Sequence, residues 1–339
     1  MNKTIQIVGK PHNQYFAGFI IVIAAVILGY LLFIASHAAS PSASSEAESG
    51  NLSGSACKVT STGASGGTTN NAVQFGGSSC GSTCTSNCGT PGHPLLGWGD
   101  GTWTQAEVTS DLKLISSNVT AQVMDVFNGT SNVTAYPSGS DPSTLTWLVA
   151  MGNNSASNGA SATTYGQQLV ANGHANAYIR IMWEFNGNWY PWGSMNASTF
   201  ISDFKIIHDA LAAVPGNHFT YVWDVNCPIS SSTMSSYWPG SPYVTDIGMD
   251  DYGDTSCPST VEAFAKQQGK PVELDEWGIN GNDDPSFIDT ISSFVHNTSN
   301  NVDLQSYFSD SPTYNASINS DIYQYSDVEA AYAKDFAGE

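Results

Sequence analysis

Positive charge is what this chain most lacks. Arg180 is the only arginine in 339 residues, and lysine and arginine together number 9. Beyond residue 90 there are 27 acidic and 6 basic side chains, net −21, a field that repels nucleic acid and anionic lipid headgroups and excludes both as partners. Charged residues of both signs make up 11%, against roughly 25% in ordinary soluble domains. Carboxylates are therefore not in excess, as a halophile's surface requires; basic groups are scarce. Few lysines and arginines limit positive self-repulsion once carboxylates protonate, which suits an acidic habitat. A Ser-, Thr- and Asn-rich surface bearing glycans has the same composition, and sequons at Asn118, Asn128, Asn132, Asn153, Asn196, Asn297 and Asn315 allow it.

Several motifs are missing as well. The turn at Gly97–Gly101 lacks the GxGxxG spacing of a dinucleotide site, and no GxSxG elbow marks a serine hydrolase. His93, His174, His208, His218 and His296 are scattered without ligand spacing, and no histidine cluster joins Cys80, Cys84 and Cys88. Neither a metal nor an organic cofactor is expected. There is no internal repeat.

The N-terminus is organised differently from the rest. Lys3 and Lys10 precede Phe16–Ala35, 20 residues without a charge, long enough to cross a bilayer and longer than a signal-peptide apolar core. Positive charge before the span places residues 1–15 in the cytoplasm and the remainder outside. The expectation is a transmembrane anchor over 16–36, or a secreted chain if the small-residue run Ala35–Ser40 is cleaved. Residues 37–90, rich in Ser, Gly and Thr, read as a flexible stalk. Four of the 6 cysteines (Cys57, Cys80, Cys84, Cys88) lie there, an even count that argues for disulfides in an exported chain.

Residues 91–339 are long enough for one large domain. Strand-like runs begin at Leu95, Ala121, Leu145, Ala177, Phe219, Val244, Pro271 and Val302, with amphipathic segments between them. Helices are expected over 105–117 behind Thr104, 164–171, 198–214, 260–268, 285–296 behind Asp284, and 327–336. The segments after the second and fifth strands are loop-like. Eight strands alternating with helices predict an α/β fold, a (β/α)8 TIM barrel, over a doubly wound open sheet.

The most informative stretch is Arg180–Trp192. Alternation over 177–184 puts Tyr178, Arg180, Met182 and Glu184 on one face, before the chain breaks at Asn186-Gly187 into a loop with Trp189, Tyr190 and Trp192. A lone arginine two steps below a carboxylate, beside flat aromatic rings, fits sugar chemistry: carboxyl groups supply acid and nucleophile, and rings stack on apolar sugar faces. In a barrel, reactive groups sit at the C-terminal ends of strands, here Asp100, Asp125, Glu184, Asp224, Asp250 with Tyr252, and Glu276. Two are glutamates, on strands four and seven, and are expected to meet across the mouth about 5–5.5 Å apart, the spacing of a retaining glycosidase. Trp98 and Trp277, at strand ends, are expected to line the cleft. Alternation puts Val272, Leu274 and Glu276 inward and Glu273 and Asp275 on the helix-facing side, where Lys270 is their available partner. Cys227 and Cys257 follow neighbouring strands on one rim and are expected to form a disulfide.

The blocks Arg180–Trp192, Tyr237–Gly240, Val244–Tyr252 and Pro271–Gly278 resemble glycoside hydrolase family 26, β-mannanases and related β-glycanases of the retaining (β/α)8 clan, over most of residues 93–336. The resemblance implies that Glu184 is the acid/base and Glu276 the nucleophile. It further implies that Trp189 belongs to the subsite wall, that Asp250 and Tyr252 lie near the nucleophile, and that Arg180 shares the acid/base strand. Asn186, Trp192, Trp98 and Trp277 complete the expected substrate-binding set. The family's mannanases carry a histidine immediately before the acid/base, where this chain has Trp183. Mannan specificity therefore transfers weakly, and glucan, xylan or an unusual envelope polymer stay open. The expected activity is retaining hydrolysis of an extracellular β-linked polysaccharide. A carbohydrate-binding or adhesion module on the same barrel, or a glycosylated surface-layer protein, are the alternatives.

Overall fold

The structure is a computed structural model that describes residues 56–60, 71–75, 89–99, 104–126, 144–153, 158–310 and 318–338. The expected anchor over 16–36, Asp100, Trp103, Cys80, Cys84 and Cys88 lie outside the described residues. Within the expected stalk, Ala56–Thr60, which holds Cys57, pairs with Asn71–Phe75 in a two-stranded sheet, so that segment is not all irregular. Among the described residues no helix is long and apolar enough to cross a membrane.

Eight parallel strands close into a barrel: β1 (Leu95–Gly99), β2 (Val123–Val126), β3 (Thr146–Met151), β4 (Tyr178–Ile181), β5 (Thr220–Asn226), β6 (Asp246–Asp251), β7 (Val272–Trp277) and β8 (Val302–Phe308). Each pairs with its sequence neighbours, and β8 returns to β1 with Leu304 opposite Leu95. The helices are α1 (Gln105–Ile115), α2 (Asn158–Ala171), α3 (Ala197–Ala212), α4 (Ser231–Tyr237), α5 (Cys257–Gln268), α6 (Pro285–Val295) and α7 (Ser326–Asp335). Thr104 caps α1 by accepting from the amide of Glu107, and Asp284 caps α6 by accepting from that of Ser286 (both 3.1 Å). The segment after β5, loop-like in sequence, does form the short α4, capped by Ser230 and anchored by buried Met234.

Strand alternation sorts the core into two parts. Leu95, Val123, Leu148, Tyr178, Val222 and Leu304 meet inside the barrel. The larger cluster lies between strands and helices and takes the opposite faces: Leu96 and Trp98 of β1, Ile179 of β4, Trp223 of β5, Val272 and Leu274 of β7. This corrects the parity expected for strand seven: Val272 and Leu274 face the helices, and Glu273 and Asp275 point into the barrel. Asp275 comes within 3.6 Å of Arg180 Nε there. Gly248 of β6, opposite, has no side chain to contest that space: a Cβ there would collide with Asp275 Oδ2. Glu276 still reaches the interior, because the pairing of β6 with β7 slips by one residue: Met249 faces Leu274, but Asp250 faces Glu276. This bulge turns two consecutive carboxylates inward, as bulges beside functional sites do.

The second correction concerns β4. The expected strand over 177–184 stops at Ile181, because Met182 and Glu184 adopt left-handed backbone (φ 50° and 49°), which cannot continue a pleat. Such residues cost about 1–2 kcal/mol each outside glycine. The turn nevertheless carries Glu184 to the barrel mouth.

Candidate active site

Arg180 rises from β4 into the barrel, wholly buried, among five carboxylates. Its Nε donates to Asp224 Oδ2 (2.5 Å), its Nη1 to Glu276 Oε1 (2.6 Å) and its Nη2 to Asp250 Oδ2. Asp275 (3.6 Å) and Asp125 (3.9 Å) complete the ring. Burial works against the guanidinium's charge, and the carboxylates, Asp224 first, more than offset it. One positive charge cannot hold five negative ones in a dry core. Burial accordingly raises Asp125, Asp250 and Asp275 well above the usual carboxylate range, and Asp224 to about 6.

Above this ring Glu276 is gripped from both sides, its second oxygen accepting from Tyr252 Oη (2.9 Å). Glu184 likewise has both oxygens occupied: Oε1 accepts from Asn226 Nδ2 (2.6 Å) and Oε2 from Trp189 Nε1 (2.7 Å). Both contacts favour its ionised form, yet burial and then the charge of Glu276 prevail and lift its pKa to about 8. Glu184, in the turn beyond β4, thus feels the charge of Glu276 at the end of β7.

The expected aromatic wall is only partly there. Trp189 is exposed (53%), its indole folded back over Gly187, where any Cβ would strike the ring. Trp192 is wholly buried instead; its Nε1 donates to the carbonyl of Trp183 (2.7 Å) and its ring stacks on Tyr190. Nor do Trp98 and Trp277 reach the cleft. Trp98 keeps the helix-facing parity of β1, and the bulge turns Trp277 the same way. Both pack beneath α7 with Tyr307 and Tyr332, and Trp277 Nε1 donates to Gln305 Oε1 (2.7 Å). Asn186 contacts the backbone of Asn226. Cys227 and Cys257 are bonded, with Cα atoms 5.9 Å apart.

Sequence reasoning missed Asn226 as a partner of Glu184 and Asp275 as a partner of Arg180. The two-step spacing Asp224–Asn226 on an inward face was the available signal for the first; the second was hidden because the bulge lets both Asp275 and Glu276 face inward, and nothing local signals it. The described residues hold one group of carboxylates close enough to share an ion, Asp246, Glu273 and Asp303, with oxygens within 4.8 Å of one another. They lie at the N-terminal ends of their strands, away from the mouth, and burial raises all three above the usual range. Lys270, the expected partner of Glu273 or Asp275, donates instead to the carbonyls of Ser241 (2.9 Å) and Val244.

Residues 164–328 match the model of glycosyl hydrolase family 26. A β-1,3-xylanase of Alcaligenes sp. is 24% identical over 106 residues, covering 29% of this chain and 22% of that protein. Endoglucanase H of Acetivibrio thermocellus is 31% identical over 107 residues, covering 24% of this chain and 12% of that protein. The chain thus spans less than a quarter of the length of these curated relatives. In fold it is similar to the catalytic domain of an endo-β-1,4-mannanase of Bacillus sp. JAMB-750, with a TM-score of 0.51 and 15% identity over 73% of this chain and 87% of that one.

Proposed function

Since the chain belongs to glycosyl hydrolase family 26 through residues 164–328, we propose that it is a retaining glycosidase that cleaves an external β-linked polysaccharide by double displacement. The observation that carries this reading is the contrast between the two glutamates. Glu276 is held by Arg180 and Tyr252, and Glu184 beside it keeps its proton up to a pKa of about 8. One carboxyl that burial keeps protonated and a second held in place by an arginine and a tyrosine hydroxyl are what acid and nucleophile need.

In the first step Glu184 gives its proton to the glycosidic oxygen while a carboxylate oxygen of Glu276 attacks the anomeric carbon. The leaving sugar departs as an alcohol, and a glycosyl ester forms on Glu276. Esterification removes the charge of Glu276, the second cause lifting Glu184, so Glu184 becomes a stronger acid and is left ionised. In that state it takes a proton from water, which displaces Glu276 with net retention. Arg180 and Tyr252 keep Glu276 on line in both steps, and the exposed face of Trp189 offers a platform for a sugar ring.

β-Mannan, β-glucan and xylan are the substrate classes in view. Trp183, buried in the core and tilted against Trp192 and Tyr190, stands where the family's mannanases carry histidine, so mannan is not singled out among them. Lys3 and Lys10 ahead of the apolar run Phe16–Ala35 support an extracellular domain tethered to the cell membrane. Reducing-sugar release from mannan, mixed-linkage glucan and xylan, with the first product anomer read by NMR, tests the proposal. A β-anomer from one polymer supports it. A folded protein that releases nothing, or an α-anomer first, overturns it.

A further inference from the structure

We propose that Asn226 is a positioning residue for Glu184, locked in place by Asn186 and the Cys227–Cys257 bond, and that it keeps the acid's proton facing the sugar. This inference rests on the acid/base reading of Glu184 and adds how that residue is controlled.

The argument begins with a gap in the sheet. β4 and β5 pair only at Tyr178–Thr220, Ile179–Tyr221 and Arg180–Val222, since β4 ends at Ile181 while β5 runs on to Asn226. The far end of β5 is therefore left without its β4 ladder. Asn186 supplies the missing pairing with its side chain: its Oδ1 accepts from the Asn226 amide (2.9 Å) and its Nδ2 donates to the Asn226 carbonyl (2.7 Å). A side-chain amide has the donor and acceptor of a peptide group, so it substitutes for a strand neighbour. Asn226 is further secured through the next residue, Cys227, bonded to Cys257 at the start of α5. With its backbone held on three counts, the Asn226 amide is presented to Glu184 Oε1 at 2.6 Å.

The consequence lies in which groups can accept a proton. Glu184 meets Asn226 through an N–H and Trp189 through an indole N–H, and an indole N–H is donor only. Neither contact can take the proton of the neutral acid. Its hydroxyl is left to point into the cleft, towards a glycosidic oxygen. In the second step the same two donors stabilise the carboxylate that must act as base. The charged and titratable groups around Glu184 are Arg180 on β4, Asp224 on β5, Asp250 and Tyr252 at the end of β6, Glu276 on β7, and Tyr190 in the following loop. None of these is supplied by Asn186 or Asn226, so changing the amides alters donors without altering charge.

The test is a titration of Glu184 by carbon NMR in protein labelled at glutamate Cδ, with Glu184→Gln identifying the resonance. Asn226→Ala is expected to raise the midpoint by about one unit, the effect of losing one donor to a carboxylate. Asn226→Leu keeps much of the bulk, loses the donor and adds no charge, and should raise it by a similar amount. Asn186→Ala, which leaves Asn226 in the chain but frees its backbone, should give a smaller rise. With an activated aryl glycoside, the acid limb of the kcat profile should move up in step, because the second step needs ionised Glu184. Unchanged midpoints in both Asn226 variants overturn the inference, and a purely structural role predicts that Asn226→Leu titrates like wild type. The NMR readout needs no turnover, so it stays distinguishable from a failure of the glycosidase reading, which the polymer panel detects.

Discussion

Asp275 fills the space that a side chain at Gly248 would occupy: a Cβ built on Gly248 would overlap Asp275 Oδ2 and come within 2.8 Å of Val222. The bare backbone of Gly248, which pairs with Glu273, leaves room for the Asp275 carboxylate in the interior, within 3.6 Å of Arg180. Gly248→Ala should therefore destabilise the barrel by at least about 1–3 kcal/mol, the usual range for overpacking a closed core. Urea denaturation should show a lower midpoint with an unchanged slope; an unchanged midpoint would mean that Asp275 has room elsewhere.

Arg180 is the common partner of five carboxylates, so its loss should cost far more than one ion pair. Arg180→Met leaves buried negative charge uncompensated, and a loss of about 3–5 kcal/mol is expected at pH 7. At pH 4 the neighbouring carboxyls carry protons and the loss should shrink. Equal losses at the two pH values would contradict the electrostatic account of the ring.

Stability should fall as pH rises. Burial is the first cause lifting Glu184 to about 8, Asp251 to about 7 and Asp224 to about 6 in the folded chain. Unfolded carboxyls titrate near about 4. Between those limits the native state binds more protons than the unfolded one. The stabilisation is fully present below about 4 and is lost as pH climbs through the folded values, at about 1.4 kcal/mol per pH unit for each proton held in excess. Thermal melts at pH 4.5 and pH 8 should give the higher Tm at the lower pH. A Tm that rises with pH refutes this.

The two glutamates should separate kinetically. Glu276→Ala should abolish turnover, and azide should restore some of it with inverted product, since a small anion fits where the nucleophile stood. Glu184→Ala should spare substrates whose leaving groups need no proton. A fluorosugar inactivator should label Glu276 in a peptide digest; label on any other residue would displace it from the nucleophile's role.

Trp189 and Trp192 lie three residues apart and should behave oppositely. Trp189→Ala removes an exposed ring and a donor to Glu184, so it should weaken substrate binding and leave Tm nearly unchanged. Trp192→Ala opens a cavity in the core and should cost about 3–5 kcal/mol of stability. Paired melts and KM values check both, and a large Tm loss for Trp189→Ala would contradict its exposed placement.

The sequence by itself determined the barrel and its two strand-end glutamates. A period of two in runs such as Phe219–Val225, alternating with periods near 3.6, is a local signal that needs no partner to be read. The lone arginine on β4 was equally visible as a residue type in an unusual place. What only the tertiary structure decided is which way the later residues of β4 and β7 point. A one-residue bulge reverses the parity of everything beyond it, and it shows only in the pairing with β6, between Met249 and Asp250. Asp275 entered the interior on the alternation below the bulge, and the bulge then kept Glu276 inside and sent Trp277 to the helices, against expectation for Asp275 and Trp277. Likewise the left-handed residues Met182 and Glu184 ended β4 early and created the gap that Asn186 fills from 40 residues before Asn226. Periodicity records the intent of a single segment, whereas register is a property of two segments held together, and it exists only once they have paired.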